Sequence, residues 1–430
     1  METSINKLPS VVITQILAGL NWRDKLNVIK AITPWAVSLE SSSSWPLLTL
    51  SFTDSKVIAR EEEEEGLINN LYVCIEKYGK YMKQIVISYS REETTSLYLL
   101  LSTISRNCVK LISFHVYIKP KFFQIISLPI LDKYIEIIKR TCIKDIKLRI
   151  IESAVISSDF NLFQEIAQND LQNKVTSLKF SMSDFNPFVN EINIYNFSFL
   201  ESFPNLEYLE IDQRHITTDL ILNLVTKSLK ELTLLQVEDN DNGVLNKFSD
   251  TIWKSLLKMA PCFHFNLSLY NVNISLDQLS PYMPLYKLTL DGATVPYITT
   301  TMLEDISRKY HKTLQAFCCN NSMYYEMVDS QFEVALLNLV KKCENLTKLV
   351  YDYPIHSSTV LLLAKCRKFK KLKILCCEVN YDCVEFLNNY PTQLLQWLNN
   401  CEYSYNVNSL EGSVSSLLNH KWHLVERNKY

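Results

Sequence analysis

The sequence predicts an α/β protein with two parts: a helical amino-terminal unit over residues 1–50, then a curved solenoid with one parallel strand per turn over residues 81–400. Three observations predict this fold. A short apolar pattern recurs along most of the chain, amphipathic segments separate its copies, and the first fifty residues lack it. At 430 residues the chain is roughly two to three times as long as one compact domain, which suits an elongated repeat architecture.

The recurring pattern is an apolar residue, two spacers, a second apolar residue, one spacer and a third apolar residue, as in residues 206–211 and 229–234. Alternate side chains of a strand point to the same side, so the pattern predicts a short strand with one buried face. The copies are spaced 21–35 residues apart, which predicts about 11–12 degenerate repeats. They begin at Met82, Leu111, Ile143, Val175, Leu206, Leu229, His264, Leu285, Leu314, Leu346, Leu372 and Leu394, with His264 in place of an apolar residue.

Segments between the copies have apolar residues at helical spacing, which predicts a helix that packs behind each strand. The clearest helices are predicted at residues 95–107, 128–141, 219–228 and 334–343. Stacked turns of strand and helix would bury one continuous core. The alternative is a non-repetitive α/β domain in which the leucine spacings arise by chance.

The repeat region resembles the leucine-rich-repeat proteins of the cysteine-containing intracellular type, over residues 80–400. Cys108, Cys142 and Cys343 each lie three residues before the first apolar position of a copy, where this subclass often has cysteine. The twelve cysteines include no C-x-x-C pair, so we expect these three to be reduced, buried and free of metal. Residues 401–430 would form a carboxy-terminal cap or tail.

The amino-terminal unit has its own helical pattern. Pro9 suits the start of a helix because its missing N–H group needs no partner there. Asp24 is predicted to cap a second helix, and Pro34 to end or kink it. Residues 45–52 are predicted to form a strand, and residues 51–80 a linker and cap that includes the solvated acidic run 61–65.

Residues 7–45 resemble an F-box, with a Leu-Pro start, an apolar helix, Asp24, a later helix, Trp35 and Trp45. Together with the repeats, the chain is similar to substrate-recognition subunits of Skp–cullin–F-box ubiquitin ligases. The alternative for this segment is a helical cap over the first repeat. The resemblance implies that the Skp adaptor contacts Leu8, Pro9, Ile13, Ile16, Leu17, Leu20, Leu26, Ile29 and Ile32.

Composition argues against several other classes of protein. The chain has only six glycines and no glycine-rich phosphate loop, which excludes the common nucleotide-binding motifs. The seven histidines are scattered and no catalytic or zinc motif occurs, so we expect neither an enzyme nor a cofactor or metal. The net charge of -2 disfavours a ribonucleic-acid or ribonuclease-binding horseshoe. Residues 8–22 suit neither a membrane span nor a signal peptide, so we expect a cytoplasmic or nuclear protein with no membrane partner.

The resemblance implies a substrate receptor that binds a protein on the repeat domain and, through the Skp adaptor, a cullin. Residues between the apolar positions of each strand should line the concave face. We expect this face to be basic early (Lys147, Arg149, Lys179) and acidic later, through Asp352 and Glu378, with Lys287 and Lys348 interrupting the acidic part. Such a face favours a basic substrate segment; the alternative is ordinary solvated surface charge. The expected substrate-binding residues are Tyr117, Tyr208, Glu210, Asp212, Glu231, Tyr270 and Asp291. The rival interpretation is a leucine-rich-repeat scaffold without a ligase role.

Overall fold

The structure, a computed structural model, divides the chain into two compact units. Unit 1 comprises Met1–Ile211 with Lys227–Leu229, and unit 2 comprises Asp212–Thr226 with Lys230–Tyr430. The structure describes residues 8–52, 61–89, 95–118, 128–140, 143, 145–150, 171–179, 197–213, 216–237, 248–270, 279–291, 299–320, 330–375, 379–381, 396–397 and 406–425.

Unit 1 begins with two short helices, α1 (Ser10–Gly19) and α2 (Trp22–Ala31). Pro9 directly precedes α1, and its carbonyl accepts the N–H groups of the first turn, as expected of a proline at a helix start. The prediction that Asp24 caps α2 is wrong. Asn21 is the N-cap, and its side chain accepts the Asp24 N–H at 3.0 Å.

Pro34 ends the second helix, as predicted. The chain continues as 3-10 turns over Thr33–Leu39 and Ser42–Ser44, against which α1 packs. Strand β1 (Leu48–Phe52) follows, which confirms the strand predicted within residues 45–52. The acidic run forms the first turn of the next helix, α3 (Glu61–Tyr78).

The rest of unit 1 alternates helices with parallel strands. Strands β1 to β4 form one sheet in chain order, and β5 pairs with β6. Neighbouring helices also pack together, α3 on α4 and α4 on α5. These elements are β2 (Gln84–Tyr89), α4 (Thr95–Asn107), β3 (Ser113–Ile118), α5 (Leu128–Arg140), β4 (Asp145–Ile150), β5 (Ser177–Lys179) and β6 (Tyr208–Asp212).

Unit 2 repeats the alternation. Six strands pair in parallel in the order β7, β8, β9, β10, β11 and β13, while β12 pairs with β14. The helices predicted at residues 95–107 and 128–141 in unit 1, and at 219–228 and 334–343 in unit 2, are all confirmed. Their end points differ from the prediction by up to four residues. The elements are α6 (Thr218–Lys227), β7 (Glu231–Val237), α7 (Asp250–Met259), β8 (His264–Tyr270), β9 (Leu285–Asp291), α8 (Thr300–Tyr310), β10 (Ala316–Asn320), α9 (Ser330–Lys342), β11 (Lys348–Tyr351), β12 (Ile355–His356), α10 (Ser357–Cys366), β13 (Lys371–Ile374), β14 (Val379–Asn380) and α11 (Val407–Leu418).

The repeated apolar positions align across the strands of unit 2. Leu288, Phe317, Leu349 and Leu372 pair in one row and are buried. Helices cover this side of the sheet. The ring of Trp253 on α7 lies 4.8 Å from that of Phe265 on β8, and Phe332 on α9 lies 6.2 Å from Tyr351 on β11.

Two of the predicted copies are wrong in detail. Pairing with β11 places Leu372 opposite Leu349 and Ile374 opposite Tyr351, so the copy begins at Phe369 and not at Leu372. Phe369 is buried at 2% exposure and occupies the position that leucine has elsewhere. The strand predicted after Leu394 is also wrong at the two residues described there, 396 and 397, which are helical.

The copy at His264 departs from the pattern through a bulge. A register shift between β8 and β9 leaves Tyr286 as an extra residue, and its ring stacks on His264 at 4.2 Å. His264 is exposed, while Phe263 and Phe265 on either side are buried. The aromatic neighbours therefore supply the apolar contact that His264 does not.

The carboxy-terminal residues cover the edge strand β13 of unit 2. Trp422 is buried, and its Nε1 donates to the Leu372 carbonyl at 2.8 Å. Val425 forms a parallel bridge with Leu375. The end of the chain thus blocks an edge that would otherwise expose unpaired backbone groups. No helix in the described ranges is long and apolar enough to cross a membrane.

Candidate interaction surfaces

Helix α1 has apolar residues on two different faces. Ile13 and Leu17 are buried inside unit 1 at 7% and 0% exposure. Val12 and Ile16, also four residues apart, are 37% and 41% exposed, and Val11 is 66% exposed. The helix therefore presents an apolar stripe to solvent after its own packing is satisfied, which is typical of a binding surface.

The structure separates the predicted adaptor-binding residues into three groups by their exposure. Ile13 and Leu17 are buried and hold α1 against its own unit, so they are not on the surface that this arrangement offers to an adaptor. Ile16 lies on the exposed stripe, and Pro9 is exposed at its beginning. The remaining predicted residues are half-buried: Leu8, Leu20, Leu26, Ile29 and Ile32.

A buried tryptophan organises the core behind this stripe. Trp45 is fully buried, its Nε1 donates to the Leu39 carbonyl at 2.9 Å, and its ring stacks on Tyr78 at 5.5 Å. The ammonium of Lys25 lies 4.9 Å from the ring centroid, and Lys25 is only 1% exposed. Burial lowers the pKa of Lys25, while the neighbouring thiol of Cys74 acts in the opposite direction.

In unit 1, two of the predicted substrate-binding residues lie side by side on β6. Tyr208 is 44% exposed. Glu210 is paired across the strands with Lys179, whose Nζ lies 2.5 Å from the carboxylate, so its charge is largely neutralised. Tyr117 lies on β3, but its side chain is outside the described part of the structure. Tyr208 is therefore the one exposed aromatic residue that the structure describes among the predicted set.

In unit 2, the predicted acidic residues are less accessible than expected. Asp212 is buried at 1% exposure, so its prediction as an open-face residue is wrong. Glu231 accepts a hydrogen bond from Asn266 Nδ2 at 2.6 Å, and Asp291 is half-buried. Tyr270 ends β8, with its side chain outside the described residues.

The sequence analysis missed two lysines on the face that the helices leave uncovered. Correcting the register of β13 turns Lys371 and Lys373 to the same side of the sheet as Lys287 and Lys348. These four lysines outnumber the carboxylates on the described strands of unit 2. The expectation that the later strands are acidic is therefore wrong, and the prediction of a basic substrate loses the charge pattern on which it rested. A comparison of Phe369 with the leading leucines of other copies could have revealed the register.

The cysteines agree with the predicted inert role where the structure describes them. Cys108 and Cys343 are buried, and burial raises the pKa of each thiol to about 12. Cys142 lies outside the described residues. Within the described ranges, no group of three or more histidine, cysteine, aspartate or glutamate side chains could hold a metal ion.

A buried polar cluster in unit 2 was also missed from the sequence. The carboxylate of Glu333 on α9 accepts the His356 backbone N–H at 2.7 Å and the Thr359 hydroxyl at 2.6 Å. His356 Nδ1 lies 3.1 Å from both carboxylate oxygens, and all three residues are at most 1% exposed. The carboxylate sits at the amino terminus of α10, where the helix dipole favours negative charge. Closed to solvent, the cluster joins two helices and offers no access to a substrate.

Comparison with known proteins gives no family for this chain: neither a protein-family model nor a curated protein matches it. The fold is that of a mixed α/β protein with parallel strands and helices. The function is therefore argued from the residues themselves.

Proposed function

We propose that the chain is a non-catalytic substrate-recognition subunit of a Skp–cullin–F-box ubiquitin ligase, with an F-box within residues 8–50 and a leucine-rich-repeat solenoid after it. In this role the amino-terminal segment binds the Skp adaptor and the repeat region holds a protein for ubiquitination and degradation. Transfer of ubiquitin to the substrate lysine belongs to the partner proteins. The compartment proposed is the cytoplasm or nucleus.

The observation that carries this proposal is the exposed apolar stripe of α1. Of the large apolar side chains that are exposed in the described residues, five lie between residues 11 and 47, a tenth of the chain: Val11, Val12, Ile16, Val37 and Leu47. An amphipathic helix that presents residues at i and i+4 suits an apolar groove on a partner. The resemblance to an F-box also supports the proposal. It rests on the Leu-Pro start, Trp35 and Trp45.

The repeat assignment is supported by the order of the strands. In unit 2 each strand of the main sheet pairs with the next strand of that sheet along the chain, always in parallel, and helices fill most of the connections. A chain that winds one strand and one helix per turn produces this order. Repeats of this kind commonly bind proteins on the strand face.

Binding to a Skp adaptor tests the proposal. Val12→Glu with Ile16→Glu places charges on the exposed stripe and should weaken co-precipitation of the adaptor at least tenfold, because losing two anchors costs a few kcal/mol. Leu8→Ala with Pro9→Ala should weaken it as well. The matched control is Val109→Glu, which changes a valine that is 52% exposed in a different part of unit 1.

The rival function, a scaffold whose amino-terminal helices merely cap the first repeat, predicts a different result. Helices that only cap the first repeat would not bind an adaptor, so the wild-type chain would not bind Skp at all. Wild-type binding that survives the double glutamate variant, with unchanged thermal unfolding, would also reject the F-box assignment for α1.

A further inference from the structure

The open side of the sheet in unit 2 has three lysines in one line across the strands. Lys287 on β9 and Lys348 on β11 both pair with Ala316, which lies between them on β10, and Lys348 pairs with Lys371 on β13. We call Lys287, Lys348 and Lys371 the lysine row. Directly paired residues of parallel strands point to the same side, so all three face away from the buried leucines.

The lysine row is accessible. Lys371 is exposed, and Lys287 and Lys348 are half-buried. Helices α7 and α9 pack on the other side of the sheet, as the contacts of Phe265 and Tyr351 show. Ala316, which lies between the first two lysines, is small and is itself buried at 6% exposure.

One carboxylate lies near the lysine row: Glu231 accepts a hydrogen bond from Asn266, which pairs with Lys287. None of the three lysines forms an ion pair with a described residue. Lys348 and Lys371 are directly paired on adjacent strands about 4.8 Å apart, an arrangement that is destabilising for like charges. Burial lowers the pKa of the neighbouring Lys373; Asp352 opposes this effect, and the proximity of Lys371 adds to it. An anion bound here would relieve the repulsion.

We propose that the lysine row binds an acidic peptide segment, one with aspartate or glutamate residues two to three positions apart. This inference rests on the proposed function, because it names the substrate class of the repeat domain. The lysines stand about 10 Å and about 5 Å apart along the row, given the spacing of neighbouring strands. Same-side residues of an extended peptide are about 7 Å apart. Two or three carboxylates can therefore reach Lys287 and the Lys348–Lys371 pair together.

A peptide fits this surface better than a nucleic acid does. Nucleic-acid binding typically uses about 6–10 phosphate contacts, which exceeds what one row of three lysines supplies. Asp291 and Asp352 follow at the carboxyl ends of β9 and β11, about 13 Å along the same strands. They would repel a broad polyanion but leave room for one acidic strand along the row. The net charge of the whole chain, -2, also gives no general attraction for nucleic acid.

The test is binding of fluorescent decaglutamate to the full-length chain at low ionic strength. Decaglutamine serves as the uncharged probe and decauridylate RNA as the nucleic-acid probe. We expect decaglutamate to bind, decaglutamine not to bind, and Lys348→Glu with Lys371→Glu to weaken binding about tenfold, since two attractions become two repulsions. Lys348→Arg with Lys371→Arg should keep wild-type affinity because the charge is retained.

The matched control is Lys258→Glu with Lys312→Glu, two exposed lysines outside the strands of unit 2. This variant has the same change in net charge and should bind decaglutamate like wild type. No binding of decaglutamate by the wild-type chain, an equal loss in the control variant, or tighter binding of decauridylate than of decaglutamate would each overturn the proposal. The assay needs no adaptor, so its failure is distinguishable from failure of the ligase proposal, which depends on Skp binding.

Discussion

At the scale of single residues, several buried groups have ionisation properties that follow from burial. The thiols of Cys74, Cys108 and Cys343 all have a pKa of about 12, whereas Cys262 is exposed. The positions of Cys108 and Cys343 before strands were predictable from the sequence, whereas Cys74 lies within α3. Their degree of burial depends on the packing of helices, which the sequence does not specify residue by residue.

We expect alkylation to distinguish these thiols. Because only the thiolate reacts, thiols with a pKa near 12 should stay unlabelled in the native chain at neutral pH, while Cys262 reacts rapidly. Mass mapping after brief treatment with a maleimide would measure this. Cys262→Ser should remove most of the fast labelling among the described cysteines. Labelling of Cys108 or Cys343 as fast as Cys262, or stoichiometric zinc, would contradict the inert role.

Lys25 gives a second prediction at this scale. Lys25→Met keeps the aliphatic length beside Trp45 and removes a buried charge, so it should stabilise the chain by roughly 1–3 kcal/mol near neutral pH. Burial lowers the pKa of Lys25 in the folded state. The buried charge therefore reduces the stability of the fold by its full amount below that lowered pKa, and the reduction vanishes as the pH approaches the ordinary pKa of 10.5. The gap in Tm between Lys25→Met and wild type should therefore shrink as pH rises from 7 to 10. A gap that is constant with pH, or a less stable variant, would contradict this account.

At the scale of elements, helix and strand positions were largely predictable because apolar spacing determines which face is buried. Helices α4, α5, α6 and α9 all lie where the pattern placed them. Register was less predictable. In residues 369–377 apolar and cysteine residues occur at several positions, so two starting points satisfy the pattern, and only pairing with β11 selects Phe369. That shift of three residues places Lys371 and Lys373 on the open face, while the predicted Glu378 lies outside the described residues.

The burial of Phe369 makes a stability prediction. Phe369→Ala should lower the free energy of unfolding by about 3–5 kcal/mol, because a fully buried ring leaves a cavity. In the register predicted from the sequence, Phe369 would lie three residues before the copy, a position where Cys108 and Cys343 are also buried, so this variant tests the burial of the ring and not the register. The neighbouring Lys370 is exposed, and Lys370→Ala should change stability by less than about 0.5 kcal/mol. Urea unfolding of both variants would measure this difference, and an equal stability of the two would contradict the burial of Phe369.

At the scale of the whole molecule, the two candidate surfaces belong to different compact units. The stripe of Val12 and Ile16 is in unit 1, and the lysine row is in unit 2. Each unit has its own buried core, and neither surface takes part in it. The sequence located the first surface through its resemblance to an F-box. It placed Lys287 and Lys348 on the open face but could not complete the second surface, because Lys371 joins them only once β13 is paired with β11.

We therefore expect the two binding activities to be separable. Val12→Glu with Ile16→Glu should weaken adaptor binding at least tenfold and leave the affinity for decaglutamate within about twofold of wild type, because exposed substitutions with no shared partners act independently. Lys348→Glu with Lys371→Glu should do the reverse. Both variants should unfold at the wild-type temperature within a few degrees, and combining all four changes should remove both activities without a further effect on either. Loss of both activities in either double variant, with the chain still folded, would show that the surfaces are coupled and that binding on one unit depends on the other.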